Sequence, residues 1–244
     1  MRLIWINMIN AFIDLHTGGR KRPVSYDVTA TFPSLDALTA HSAEIRKEVE
    51  ALLPYKDSIP RYHEVDSNQR YISSQIDPER AWRTYMFVSV MRRNATNSAK
   101  CPITDRLVAG VPHIVNAFFS ILEPGKSIPA HNGAYRGILR YHLGLIVPRN
   151  DPPFIRVKDE IHQWQEGVAW MFDDSWEHEV TNRSDGVRVV LILDVLRPLP
   201  FLPHALNAAA LWWMGRSDLY KRVSDAIELA SQKMPASAGT LPER

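Results

Sequence analysis

The chain has 244 residues, with 29 Lys and Arg against 27 Asp and Glu, and it is 45% hydrophobic and 23% charged. That is the composition of a folded globular protein, and a net charge of +2 without a basic block excludes a binder that works by neutralising many nucleic-acid phosphates. A single cysteine, Cys101, excludes an internal disulfide and a cysteine zinc site, suits a reducing compartment such as the cytoplasm, and leaves nine histidines as the metal-capable resource.

The first fifteen residues are apolar but carry Asn7, Asn10 and Asp14. They are too short and too polar to span a bilayer, which takes about 20 apolar residues. No small-residue cleavage site follows, so a signal peptide is not expected. The segment reads as an N-terminal piece packed on the main domain, with an interfacial helix anchored by Trp5 and Phe12 as the other reading. Leu35, Leu38, Ile45, Val49, Leu52 and Leu53 then form a helical stripe that Pro54 ends. Residues 54–84 are polar and proline-broken, and read as loops and short elements.

From about residue 84 the pattern changes to short apolar runs: Tyr85 to Met91, Ala117 to Leu122, Ile138 to Val147, Val168 to Phe172 and Val187 to Leu196. Turn clusters separate them and no crossover helix intervenes, so the expected core is an antiparallel barrel or jelly roll. After Pro198, Pro200 and Pro203 the chain returns to helix. Ala205 to Met214, with Trp212 and Trp213 and the nearby Arg216, Lys221 and Arg222, reads either as a membrane-surface helix or as a cover on the core. The tail from Pro235 to Arg244 reads as disordered. The expected organisation is therefore a helical and loop region over 1–84, a β domain over 85–199 and a helical extension over 200–244.

Strand residues alternate between faces. In the run from Ile138, the odd residues Leu139, Tyr141, Leu143 and Leu145 are a packing surface, while Arg140 and His142 share the other face above Gly144. The last run repeats this, with Val189, Leu191, Leu193 and Val195 on one side and Arg188, Val190, Ile192 and Asp194 on the other. A buried Arg188 needs an anion. Asp194 lies roughly 20 Å further along the same strand, which leaves Asp173, Asp174 or a bound carboxylate. A lone strand arginine more often ends in a protein ion pair; two basic residues on two strands, with His142 beside them, tilt toward an anion pocket. His131, His142 and His178 sit where such a fold would open. Taken singly each reads as a hydrogen-bonded histidine, but His131 and His178, from opposite ends of the strand region, suit a pair of metal ligands.

The segments Phe119-Ser-Ile-Leu-Glu-Pro-Gly125, Pro129-Ala-His-Asn-Gly133, Leu139-Arg-Tyr-His-Leu-Gly-Leu145, Trp164-Gln-Glu-Gly167, Phe172-Asp-Asp-Ser-Trp-Glu-His-Glu-Val180 and Arg188-Val-Val-Leu-Ile-Leu-Asp-Val195 together resemble the catalytic domain of aspartyl/asparaginyl β-hydroxylases. The resemblance runs from about residue 85 to 199 and implies a double-stranded β-helix, cupin-like fold that is mainly β with flanking helices. It also implies an Fe(II)- and 2-oxoglutarate-dependent dioxygenase that consumes O2. His131 and His178 would be the iron ligands, and Ser120 and Arg188 would grip the distal carboxylate of 2-oxoglutarate. Arg140 and His142 would stand near the end that chelates iron. Most iron oxygenases add a carboxylate two residues after the first histidine; here that position is Gly133. Asp174 would hold a metal-bound water, or else act as a turn residue.

The resemblance leaves the acceptor open between peptidyl Asp or Asn, a lipid A-type acyl chain, and a free amino acid or other small molecule. No helical repeat precedes residue 85, and an apolar Trp-containing segment follows Leu199. Both features tilt the expectation toward a membrane-proximal or small-molecule role, in the cytoplasm or on its membrane through residues 1–15 or 205–222, with no nucleic acid. Two other classes compete: a non-catalytic cupin-like binding module, and a metal-dependent isomerase that needs the histidines but not the carboxylate clamp.

Overall fold

The computed structural model describes residues 2–74 and 78–235. All but Pro235 of the tail expected to be disordered lies outside them. Eleven described strands form two antiparallel sheets: β1 (Ser25–Tyr26), β2 (Trp82–Ser89), β3 (Arg92–Arg93), β4 (Ile114–Leu122), β5 (Ile128–His131), β6 (Ile138–Ile146), β7 (Phe154–Val157), β8 (Glu160–Gln163), β9 (Ala169–Phe172), β10 (His178–Thr181) and β11 (Arg188–Leu196). The large sheet runs β1-β9-β6-β11-β4-β2-β3 and the small one β5-β10-β7-β8. Among the described residues no ladder joins them, so the jelly-roll alternative holds and a closed barrel does not form.

All five expected strands are present. The large sheet also takes β1 and the first residues of β2 from before residue 85.

Side-chain parity organises the core. Odd residues of the four longest strands, among them Tyr85, Phe87, Phe119, Tyr141, Leu143, Leu191 and Leu193, pack beneath Leu35, Leu38, Ile45, Val49 and Leu52 in one buried cluster. The helical stripe read from the sequence is therefore the cover of that face. It is broken at His41 (φ −106°, ψ 22°) into the helices Asp36–Ala40 and Ser42–Leu52. Even residues face the small sheet: Trp82, Met86, Phe118, Leu122, Val190 and Ile192 meet Ile128, Ile155, Val157 and Val180. Ser120, Arg140, His142, Arg188 and Asp194 have the same even parity, which carries polar groups between the sheets.

Cys101 is fully buried, and burial pushes its thiol pKa up, as befits a small core hydrophobe.

The segment after the N-terminal helix and the end of β11 meet at one buried carboxylate. Asp173 accepts from Arg22 Nε at 2.8 Å and lies 2.6 Å from Arg197 Nη2, while its other oxygen accepts from the backbone and hydroxyl of Ser175. Arg197 also donates to Tyr26 Oη at 2.8 Å, tying the end of β11 to β1. This knot fixes the loop between β9 and β10. Removing one partner of a buried pair strands the other charges, at a cost of about 3–5 kcal/mol. Asp173→Ala should therefore lower the melting temperature by about 10 °C in calorimetry; a shift of only about 1 °C would show that the knot contributes little.

Candidate active site

The small sheet positions the two candidate ligands. β5 pairs with β10 in a register that sets His178 opposite His131, and their ring centroids lie 4.1 Å apart. His131 Nδ1 lies 2.8 Å from the carbonyl of Pro129, and His178 Nδ1 2.9 Å from that of Trp176. A carbonyl can only accept, so each Nδ1 carries the proton and each Nε2 keeps its lone pair. Burial pushes both imidazole pKa values down, His178 to about 3 with His131 adding to the effect, so both are neutral at pH 7. Two neutral imidazoles with free Nε2 atoms from paired strands fit a divalent metal. Among the described residues no third His, Cys, Asp or Glu joins them in a metal-holding cluster.

Gly133 shows why. A Cβ on it would stand 2.7 Å from the carboxyl carbon and both oxygens of Asp174, and the Gly133 amide donates to the Asp174 carbonyl at 2.8 Å. The carboxyl of Asp174 thus occupies the space in which a side chain at position 133 would begin. Arg140 Nη2 lies 3.2 Å from Asp174 Oδ2, while Oδ1 is buried without a protein partner. Burial raises the Asp174 pKa to about 7, against the pull of Arg140 and with the help of Asp194 and Asp173.

Arg140 lies at the histidine end of the site and is paired within the protein. It is cross-strand neighbour to Asp194, which it grips with two bonds of 2.7 and 3.0 Å. Asn116 Nδ2 also donates to Asp194, at 2.7 Å. Arg140 is thus committed to protein carboxylates, and its place in the site is to hold Asp174.

Arg188 is in the opposite position. It is 1% exposed, and its Nη1 donates to the hydroxyl and carbonyl of Ser120 at 3.1 and 3.3 Å. Its guanidinium carbon lies 4.5 Å from the centroid of a Trp164 ring. Asp173 and Asp174 are both taken by other arginines, no carboxylate among the described residues pairs with Arg188, and its Nε–H has no acceptor. Burial alone pushes its pKa down, to about 9, which leaves it cationic at neutral pH.

Next to it, His142 Nδ1 accepts from Trp164 Nε1 at 3.2 Å. Its proton must therefore sit on Nε2, a second buried donor without a partner. Burial first, and then the fields of Arg140 and Arg188 with smaller ones from His162 and His178, drive the His142 pKa well below the ordinary value. His142 stands between the two ends of the site. Ser120, meanwhile, is oriented by Trp82, whose Nε1 donates to its hydroxyl at 2.9 Å. Trp82 and Asn116 had no sequence signal of their own, whereas Trp164 lay in a segment that carried the resemblance and Asp194 on the face of β11 shared with Arg188, where the parity of β6 and β11 could have paired it with Arg140.

A cavity of about 450 Å³ opens in front of the histidines. His131, His178, Asp174 and Arg140 form its polar end, and Met86, Val115, Ile138, Leu211 and Met214 are part of its apolar wall.

The two-sheet antiparallel fold is of the jelly-roll type, and it holds a facing histidine pair and, in its interior, a buried cation without a carboxylate partner. The family model for aspartyl/asparaginyl beta-hydroxylase matches residues 39–198, and the chain belongs to that family. It is 40% identical over 190 residues to an ornithine lipid ester-linked acyl 2-hydroxylase of Rhizobium tropici, covering 78% of this chain and 66% of the relative. To the human aspartyl/asparaginyl beta-hydroxylase it is 33% identical over 122 residues, 48% of this chain and 16% of that protein. The chain thus spans less than two thirds of either. Among solved structures, a Pseudomonas putida prolyl-4-hydroxylase aligns with a TM-score of 0.41 at 15% identity, over 68% of this chain and 98% of that one.

The close fit of Gly133 to Asp174 is testable. Gly133→Ala should lower the melting temperature by several degrees, because something must shift by several tenths of an ångström. Asp174→Ala removes the obstacle, so the double variant should melt higher than the sum of the single shifts predicts. Strict additivity would refute the steric account.

Proposed function

We propose that this protein is an Fe(II)- and 2-oxoglutarate-dependent dioxygenase that hydroxylates an acyl chain of a lipid. The observation that carries the dioxygenase reading is the pair of buried donors, Arg188 Nε and His142 Nε2, without acceptors in the protein. An unsatisfied buried donor costs about 1–3 kcal/mol, and more when charged. A carboxylate ligand would satisfy both. Arginine's planar fork suits that partner.

His131 and His178 would hold iron through their Nε2 atoms. The distal carboxylate of 2-oxoglutarate would lie on Arg188 and Ser120, with His142 donating toward the co-substrate. When bound, iron and 2-oxoglutarate supply the oxidising power: dioxygen is consumed, the co-substrate becomes succinate and CO2, and one oxygen enters a C–H bond. The chain's own part is placement. Arg188, buried against Ser120 and the face of Trp164, would neutralise the co-substrate, while Trp82 orients Ser120 and Trp164 orients His142. Asp174, fixed by Arg140 at one oxygen, keeps the other for a water beside the histidine pair. Burial keeps both imidazoles neutral at pH 7, and their backbone bonds fix the tautomer that leaves each Nε2 for the metal.

The acyl acceptor is supported by the apolar wall of the cavity and by the similarity to an acyl 2-hydroxylase over 78% of this chain. A reducing, cytoplasmic setting fits the single buried cysteine.

Purified protein with Fe(II), 2-oxoglutarate and a lipid extract should form succinate, and mass spectrometry should show one added oxygen on an acyl chain. No succinate with any lipid, or oxygen found on peptidyl Asp or Asn instead, would overturn the acceptor reading. His131→Ala and His178→Ala should each abolish stoichiometric Fe(II) binding. Arg188→Ala should raise the 2-oxoglutarate concentration needed for half-maximal turnover by about 100-fold, the scale of losing a buried charge-assisted bond. An unchanged requirement would contradict the clamp.

A further inference from the structure

The helix Phe201–Gly215 is built inside out. It contains no Asp, Glu, Lys or Arg, and a helix apolar on all sides belongs in a core or a membrane. Yet its buried face consists of Pro203, Asn207, Leu211 and Gly215, while Phe201, Leu202, Leu206, Trp212 and Trp213 face outward. Phe201 is 90% exposed and Trp213 69%.

The N-terminal helix Arg2–Thr17 touches it and repeats the pattern, with Trp5, Met8 and Leu15 exposed. Each helix is pinned by an inward asparagine to the loop that follows His131. Asn10 donates to the carbonyl of Ala134 and accepts from the amide of Arg136, both at 2.9 Å. Asn207 donates to the carbonyl of Gly137 at 2.8 Å and accepts from Tyr135 Oη. Ile6 from one helix and Leu211 and Met214 from the other then complete the wall of the active-site cavity.

Both helices lead into basic residues. Exposed Arg20 and Lys21 follow the first, and exposed Arg216, Lys221 and Arg222 the second, with Arg216 lying 3.5 Å from the Trp212 ring centroid. Tryptophans and aliphatic residues rimmed by cations match an interface of acyl chains under anionic headgroups.

We propose that these two helices form a docking face for an anionic phospholipid bilayer, set beside the mouth of the active site. No helix among the described residues is long and apolar enough to cross a membrane, so the contact is peripheral. An acyl chain can then pass from the bilayer to the cavity along Ile6, Leu211 and Met214 with its apolar surface covered. The inference rests for its purpose on the acyl-acceptor reading above, but docking needs neither iron nor 2-oxoglutarate.

The full-length protein is sedimented with vesicles of phosphatidylcholine containing about 30% phosphatidylglycerol, and with phosphatidylcholine alone. It should pellet with the anionic vesicles, and lipids brominated in the acyl chains should quench its tryptophan fluorescence. The triple variant Phe201→Ser, Trp212→Ser, Trp213→Ser should lose about tenfold or more in partitioning at an unchanged melting temperature, since those side chains are already exposed. Arg216→Glu with Lys221→Glu should remove the preference for anionic vesicles. Wild-type protein that stays in the supernatant, or a triple variant that pellets equally, would overturn the proposal. So would a dimer in sedimentation velocity without vesicles that the triple variant dissociates, because the face would then cover a second copy of this chain. Succinate formation without vesicle binding would overturn docking alone; vesicle binding without succinate would leave docking standing and overturn the dioxygenase reading.

Discussion

Arg188 carries a charge into the space between two sheets, and nothing among the described residues returns an opposite charge to it. The surrounding charges are otherwise matched. Arg22, Arg140 and Arg197 are set against Asp173, Asp174 and Asp194, each arginine in contact with at least one of those carboxylates. That network knits the N-terminal segment, β6, β11 and the loop before β10 into one rigid block. Arg188 stands outside it, held by a hydroxyl, a carbonyl and an indole face. A buried cation left in this state is tolerated where a ligand supplies the missing anion.

The same block prepares the histidine end of the site. Asp173 fixes the loop, the loop presents Asp174, and Arg140 and Gly133 set the carboxyl of Asp174 where a side chain at position 133 would otherwise begin. The histidines are oriented by backbone carbonyls two residues back in each case. Orientation thus comes from the backbone and from buried ion pairs, which keeps both imidazoles in one tautomer and one position.

Much of this was legible in the sequence because strand parity is a two-residue rule. The odd residues of β6 and β11 read as core, and Arg140, His142 and Arg188 read as facing inward; the helical stripe read as their cover. The small sheet was not legible. Its strands are four residues each, and β8 and β10 carry Glu160, His162, Gln163, His178, Glu179 and Thr181, so no apolar run marks them. β10 carries His178 and pairs with β5, which carries His131, and the polar residues of β8 and β10 remove the apolar alternation that marks a strand. Arg140 was legible as inward-facing but not as ion-paired, since its partner Asp194 is distant in sequence and adjacent only once β6 and β11 are aligned. The inverted helix Phe201–Gly215 was visible as an apolar stretch. Which face it buries depends on Asn207 finding the loop at Tyr135 and Gly137, a contact that sequence periodicity does not encode.

The central claim is that Arg188 exists to meet a ligand carboxylate, and thermal unfolding tests it without any turnover. In the presence of a redox-inert divalent metal, saturating 2-oxoglutarate should raise the melting temperature by several degrees, the size expected for a ligand at about 100 times its Kd. The monocarboxylate pyruvate should have little effect, and Arg188→Ala should abolish the shift. A shift of equal size with pyruvate, or one that persists in Arg188→Ala, would contradict the account.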